Sequence, residues 1–188
     1  MDRVETSQVA FPLVETARHL GIPERTMRRA ANEGLIKGER QGPRRYLIPA
    51  QEEVYLRDNW ALLADLREVL RTEPNVKLAL LFGSFARGSS HQNSDLDLMV
   101  EIKNESSVRY RQLLMRIQNK IKKEVQIVSR ETAETSPQLM VNIIEEGRVL
   151  IDREQNWTEI RDSLAKWQRK ARSGESLESL TESWSDGR

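Results

Sequence analysis

The sequence predicts a two-part α/β chain: a small N-terminal unit of short helices and a strand hairpin, then a mixed α/β domain built on a small sheet with flanking helices. Three observations carry that expectation. Gly21 and Gly34 punctuate two short helical stretches ahead of a basic, Gly/Pro-bearing hairpin. Beyond residue 73, apolar strand-like runs interleave with stretches of helical spacing. Within that part a Gly83-Ser84 turn is followed by Asp95-Leu96-Asp97, a small-residue turn ahead of two carboxylates one residue apart.

Composition narrows the setting. The chain has 188 residues, 38% hydrophobic and 31% charged, the balance of a soluble globular protein. No apolar run is long enough to cross a bilayer and no secretory pattern opens the chain, so no membrane partner and a cytoplasmic setting are expected. With no Cys there are no disulfides or thiolate sites, and the two His residues, His19 and His91, argue against a zinc centre. The net charge is +1, but Arg and Lys gather near the N-terminus and acids near the C-terminus.

Residues 1–49 are read as a winged helix-turn-helix. A helix over residues 13–20 ends at Gly21, Pro23 opens a second through Met27 and Ala31, and Gly34 closes it. Leu35-Ile36, a cationic tip from Lys37 to Arg45, and Tyr46-Leu47-Ile48 form a two-stranded wing. The segment resembles the DNA-binding domains of excisionase-like and MerR-like proteins. That resemblance implies DNA as a partner, with Arg25, Arg28 and Arg29 on the second helix at the major groove. Arg40, Arg44 and Arg45 on the wing then reach phosphates or the minor groove. One such module binds weakly, so a homodimer is expected.

Residues 50–72 form a connecting helix, with Val54, Leu56, Trp60, Leu63, Leu66, Val69 and Leu70 at helical spacing. Residues 73–153 hold the α/β domain. Residues 76–82 read as a buried strand that feeds the Gly83-Ser84 turn, a short helix and a polar loop. On the next strand Asp95 and Asp97 share one face, while Leu96, Leu98 and Val100 point into the core. A helix over residues 108–123, a strand over 125–128, a helix over 137–146 stopped by Gly147 and a strand over 149–151 complete the domain. Trp157, Ile160, Leu164, Trp167 and Ala171 mark one amphipathic helix over residues 154–172. Residues 173–188 turn acidic and Ser-rich and read as a disordered tail, with Leu177, Leu180 and Trp184 spaced as an anchor for a partner.

Two carboxylates this close repel unless a cation lies between them, and hard cations take oxygen ligands. Backbone N–H groups at a turn that opens a helix suit phosphate. The Gly-Ser turn with Asp-x-Asp resembles the minimal nucleotidyltransferase branch of the DNA polymerase beta superfamily, and the domain is expected to share that fold. By that resemblance Gly83 and Ser84 bind the triphosphate of an NTP. Asp95 and Asp97 are catalytic and hold Mg²⁺ or Mn²⁺, Arg87 neutralises phosphate charge, and Ser94 joins the nucleotide-binding set.

The same resemblance implies transfer of an AMP-like group from an NTP to a hydroxyl acceptor. The acceptor it implies is a partner protein such as a HEPN-type toxin, and the DNA-binding module would let an antitoxin of this kind regulate its own promoter. One position departs from the family: a third carboxylate is usual on a later strand, where this chain has Gln126. Loss of a positioned base costs about 10²–10⁴ in rate. Glu124, on the same face by period two, offers a substitute. The departure motivates the alternative of a weakened enzyme that acts as a nucleotide-sensing regulator.

Overall fold

In the computed structural model the described residues are 9–104 and 106–185, with side chains described as far as Gly174. The chain divides into two compact units, Met1–Arg67 and Glu68–Arg188.

The first unit contains β1 (Ala10–Pro12), α1 (Leu13–His19), α2 (Glu24–Asn32), β2 (Glu39–Arg40), β3 (Tyr46–Pro49) and most of α3 (Ala50–Arg71). Its strands form an antiparallel sheet in the order β1-β3-β2. The hairpin is therefore three-stranded rather than two-stranded. The extra strand is only three residues long and ends in a proline, too short to show a period-two pattern. Phe11 lies opposite Ile48 in that register.

Leu13, Met27, Leu35, Ile48, Leu56 and Leu63 are buried almost completely and form the apolar interior. Each such side chain contributes about 1.5–3 kcal/mol on burial. The carboxylates drawn into this interior are all engaged, as their desolvation requires. Thr16 Oγ1 donates to Glu53 Oε2 at 3.2 Å, and the Lys37 N–H donates to Glu52 Oε1 at 2.9 Å. Arg67, whose side chain is 8% exposed, pairs with Glu33.

The second unit is built on β4 (Val76–Phe82), β5 (Leu96–Ile102), β6 (Val125–Ser129) and β7 (Arg148–Asp152), in the spatial order β6-β5-β4-β7. The pairs β4–β5 and β4–β7 are antiparallel, whereas β5–β6 is parallel. A parallel pair needs a crossover, and α5 (Ser107–Ile121) supplies it. Ser106 caps that helix by accepting the Arg109 N–H, and Leu113 and Ile117 form its buried stripe.

The remaining elements are α4 (Gly83–Arg87), α6 (Arg130–Glu134), α7 (Pro137–Glu146), α8 (Asn156–Asp162) and α9 (Leu164–Ser185). Ser136 accepts the Leu139 N–H, and Pro137 starts α7 with its φ already set for a helix. Leu78, Leu80 and Met99 of the sheet pack with Met140 and Ile143 of α7, Ile160 of α8 and Trp167 of α9. The ammonium groups of Lys166 and Lys170 lie 5.3 and 4.7 Å from the Trp167 ring centre.

In the second unit three elements differ from the sequence expectation. The short α6 is nucleated by Ser129, whose hydroxyl accepts the Thr132 N–H at 3.0 Å. The single helix over 154–172 is two helices, because Ser163 closes α8, donating from its hydroxyl to the Ile160 carbonyl at 2.6 Å. The acidic segment 173–188, expected without fixed structure, continues α9 as far as Ser185. The anchor residues Leu177, Leu180 and Trp184 lie outside the described side chains. Among the described residues no helix is long and apolar enough to cross a membrane.

Candidate active site

Strand order alone assembles the site at one end of the second sheet. Phe82 is opposite Asp97 on one side of β5, and Gln126 is opposite Asp97 on the other. Arg148 is opposite Leu81 on the far side of β4, which brings the last turn of α7 beside Gly83. Gln126, Asp97, Gly83 and Glu146 therefore stand in a row contributed by β6, β5, the residue that follows β4 and the last residue of α7.

Asp97 lies on β5, half-buried, between the fully buried Leu96 and Leu98. Asp95 sits one residue ahead of the strand and is also half-buried. Alternation thus gives the face relationship that the sequence implied. Gly83 follows β4 with φ +71°, and a Cβ there would overlap the carboxylate of Asp97. Both the left-handed backbone and the close approach require glycine.

Burial raises the Asp97 carboxyl above its ordinary value, the neighbouring Asp95 raises it further, Arg87 opposes them and Glu146 adds to the rise. The site is thus over-supplied with negative charge and suits a cation. The carboxylates that carry this charge are Asp95 and Asp97 beside Glu146. Among the described residues no group of three His, Cys, Asp or Glu side chains converges to hold a metal.

Gln126 stands on β6 opposite Asp97, and its Nε2 donates to Asp95 Oδ2 at 2.8 Å. Glu124 precedes β6 and lines an open cleft of about 570 Å³ with Ser94, Asp95, Gln118, Lys122 and Lys123. The Lys123 ammonium also lies 5.3 Å from the ring centre of Phe85.

Ser84 and Arg87 lie on α4, with Ser84 half-buried and Arg87 exposed. The buried Arg148 supports this helix from below, its Nε donating to the Ala86 carbonyl at 2.7 Å. Ser94 closes the preceding loop: its hydroxyl accepts the His91 N–H at 2.9 Å, and its own N–H donates to the His91 carbonyl at 3.0 Å. Its side chain thus has a turn-forming contact, and His91 is exposed.

Sequence reasoning missed Glu146. Its Oε2 accepts the Gly83 N–H at 3.0 Å, and its Oε1 is 2.6 Å from Arg87 Nη1. In the sequence this residue shows only as the last position before the helix-ending Gly147. Its proximity to Gly83 depends on β7 pairing with β4, which no local pattern signals.

In the first unit, Arg25, Arg28 and Arg29 lie on α2, Arg40 on β2, and Arg44 and Arg45 in the turn before β3. The structure brings Arg28, Arg40, Arg44 and Arg45 around one small pocket with Asn32 and Tyr46. Arg28 Nη1 donates to the Arg44 carbonyl at 3.3 Å, and its other nitrogen pairs with Glu24. Arg40 donates to Asn32, which ties the hairpin to α2. Arg29 stands apart from that cluster: its Nε is 2.7 Å from Glu33 Oε1, in the ion-pair network of Arg67. Arg25 and Arg45 are exposed.

Residues 64–156 match the family described as polymerase beta, nucleotidyltransferase. No curated protein matches the chain in sequence. A chain of a solved toxin–antitoxin complex with AMP-PNP superposes with a TM-score of 0.53 at 20% identity, covering 63% of this chain and 97% of that one. A complex of tri-AMPylated Shewanella oneidensis HEPN toxin with MNT antitoxin gives 0.51 at 17% identity, covering 65% and 98%. The toxin–antitoxin pair MntA–HepT gives 0.50 at 18%, covering 65% and 97%. At these identities the likeness is one of fold.

Proposed function

Residues 64–156 belong to the polymerase beta nucleotidyltransferase family, and on that premise we propose that this protein is an antitoxin-like transferase that moves a nucleotidyl group from an NTP to a hydroxyl of a partner protein. The observation that carries the reading is the close approach of Gly83 to Asp97, beside Asp95, where a Cβ on residue 83 would overlap the carboxylate. It joins a small-residue turn fit for phosphate to an acidic pair in need of a cation. Relatives of the same fold were solved as toxin–antitoxin complexes, one with AMP-PNP and one with an AMPylated HEPN toxin, which supports the substrate and the partner class.

In the proposed reaction the acceptor oxygen attacks the α-phosphorus, the bond to the β-phosphate oxygen breaks, pyrophosphate leaves and the hydroxyl proton passes to solvent. Asp95 and Asp97 would hold Mg²⁺ or Mn²⁺, which supplies charge stabilisation for the attacking and leaving oxygens. Gly83 and Ser84 position the phosphates, and Arg87 offsets their charge. Asp95 and Asp97 orient the reacting centre, and Ser94 holds the loop that leads into Asp95.

The test incubates the full chain with each labelled NTP, Mg²⁺ and a HEPN-type partner. Label is expected on the partner, and Asp97→Ala removes it. Absence of transfer from all four NTPs, while nucleotide binding persists, sinks the enzymatic reading. That outcome would favour the second reading, a nucleotide-binding regulator, which rests on the neutral Gln126 beside Asp95.

In either reading the first unit binds DNA as a winged helix-turn-helix, and the protein represses its own promoter. Arg28, Arg40, Arg44 and Arg45 cluster where α2 meets the hairpin, and the exposed Arg25 extends the cationic surface along α2. Arg29 contributes less, since it stands outside that cluster and is held by Glu33 beside Arg67. Two copies would give the affinity that one module lacks. Gel shifts on the promoter at rising salt should show binding that weakens with salt, and Arg28→Ala with Arg44→Ala should flatten that dependence by about 1 unit of slope per lost phosphate contact. Equal affinity for random DNA would remove specific repression.

A further inference from the structure

Glu146 holds two of the groups that the proposed nucleotide would need, Gly83 and Arg87. The Gly83 amide has one hydrogen to give, and Glu146 Oε2 takes it at 3.0 Å. The other carboxylate oxygen reaches Arg87 at 2.6 Å. One side chain therefore bridges an amide and a guanidinium with two anionic oxygens, the same pattern that two oxygens of a phosphoryl group would present.

We propose that Glu146 is a resident stand-in for the nucleotide's phosphate and makes the cradle selective for metal-loaded polyphosphate over the bare anion. This deepens the nucleotidyltransferase reading and rests on it. The physical reason is charge. Around Gly83, Asp97 with Asp95 and Glu146 sets three carboxylates against the guanidinium of Arg87, while Lys122 and Lys123 line the cleft beside Asp95. A bare triphosphate brings several further negative charges, must displace Glu146 from Gly83, and then lies against all three acids. A triphosphate that arrives with divalent cations neutralises the aspartates and leaves Arg87 free to exchange one anionic partner for another.

Glu146 can yield without any refolding. It is the last residue of α7, next to Gly147, and its side chain is 20% exposed, so a rotation carries the carboxylate towards water. Between ligands, the same contact keeps Gly83 and Arg87 satisfied and in place. Glu146 is thus a specificity-determining residue that acts by occupying the site.

The experiment is equilibrium binding of a non-hydrolysable NTP and of inorganic tripolyphosphate. Wild type, Glu146→Ala and Glu146→Gln are each titrated in Mg²⁺ and in EDTA, with a thermal melt of each to confirm folding. Wild type should bind the Mg²⁺-loaded ligands and bind the bare anions poorly. Both variants should gain about 10-fold or more in affinity for the bare anions, with a smaller change in Mg²⁺, because a like charge has been removed. The glutamine variant keeps the size of the side chain, so a gain there cannot come from a vacated volume. If wild type binds Mg²⁺–NTP but neither variant gains in EDTA, the selectivity role is overturned and the nucleotide reading survives. If no form of the protein binds nucleotide or tripolyphosphate under either condition, both readings fall together.

Discussion

Gln126 directs its side-chain amide at the carboxylate of Asp95, 2.8 Å away, from the strand position directly beside Asp97. A carboxylate at that position would repel the aspartate pair until a cation arrived. The amide instead donates to it, which offsets part of the pair's negative charge and puts no proton acceptor at this position.

Gln126→Asp should therefore raise nucleotidyl transfer. A positioned base is worth about 10²–10⁴ in rate, and a gain near the lower end is expected because no other group has been adjusted to the new charge. Single-turnover transfer to the partner, compared between wild type and variant at equal nucleotide saturation, measures it. A variant no faster than wild type would show that Glu124, or no carboxylate, serves this reaction.

Asp97→Asn should stabilise the fold at neutral pH when chelator is present. Burial, Asp95 and Glu146 raise the Asp97 carboxyl against the pull of Arg87, above the 3.8 of an unperturbed side chain. Between 3.8 and that raised value the native state holds more protons than the unfolded one. Stability then falls as pH rises through this window, and the penalty persists above it. Thermal melts in EDTA should place Asp97→Asn above wild type at pH 7, with the gap closing under acid. Mg²⁺ should narrow the gap at pH 7. A lower melting temperature for the variant at pH 7 would count against a charge-stressed site.

Glu33→Gln should destabilise the first unit by about 1–3 kcal/mol, since the largely buried Arg67 loses a charged partner. Burial pushes the Glu33 carboxyl up, but the Arg29 hydrogen bond and the charges of Arg67 and Arg29 outweigh it and hold the group below its ordinary 4.5. For a depressed acid, the stabilisation is complete above 4.5 and is lost as pH falls through the folded value. Urea titrations at pH 7 and under acid should show the wild-type advantage at the first and its loss at the second.

Gly83→Ala should abolish nucleotide binding and lower stability together. The φ of +71° alone costs a residue with a Cβ about 1–2 kcal/mol, and the methyl would push Asp97 off its position. Calorimetric titration with Mg²⁺–NTP and a thermal melt read the two effects separately. Native-like nucleotide affinity in this variant would place the phosphate elsewhere.

The acidic pair and the Gly-Ser turn were legible because each is local. Alternation puts Asp95 and Asp97 together, and buried Leu96 and Leu98 fix which face they take. Glu146 was not legible, because its role depends on the order β6-β5-β4-β7, which is settled by long-range pairing. The same holds for β1, whose three residues have meaning only against Ile48 and its neighbours. The break between α8 and α9 hid inside one continuous apolar stripe, since a single serine can end a helix without disturbing the spacing on either side. In the first unit, the sequence put Arg29 on the same footing as Arg28, and only the fold shows that Glu33 holds it within the Arg67 network.

The last strand of the sheet, β7, runs along β4 and seals the side of β4 that β5 leaves open. A chain shortened to end before Arg148 would bare a row of backbone donors and acceptors along seven mostly apolar residues, an invitation to intermolecular pairing. Anyone trimming this protein for crystallisation or fusion should keep β7, and with it Ile160 and Trp167, which pack on the same core.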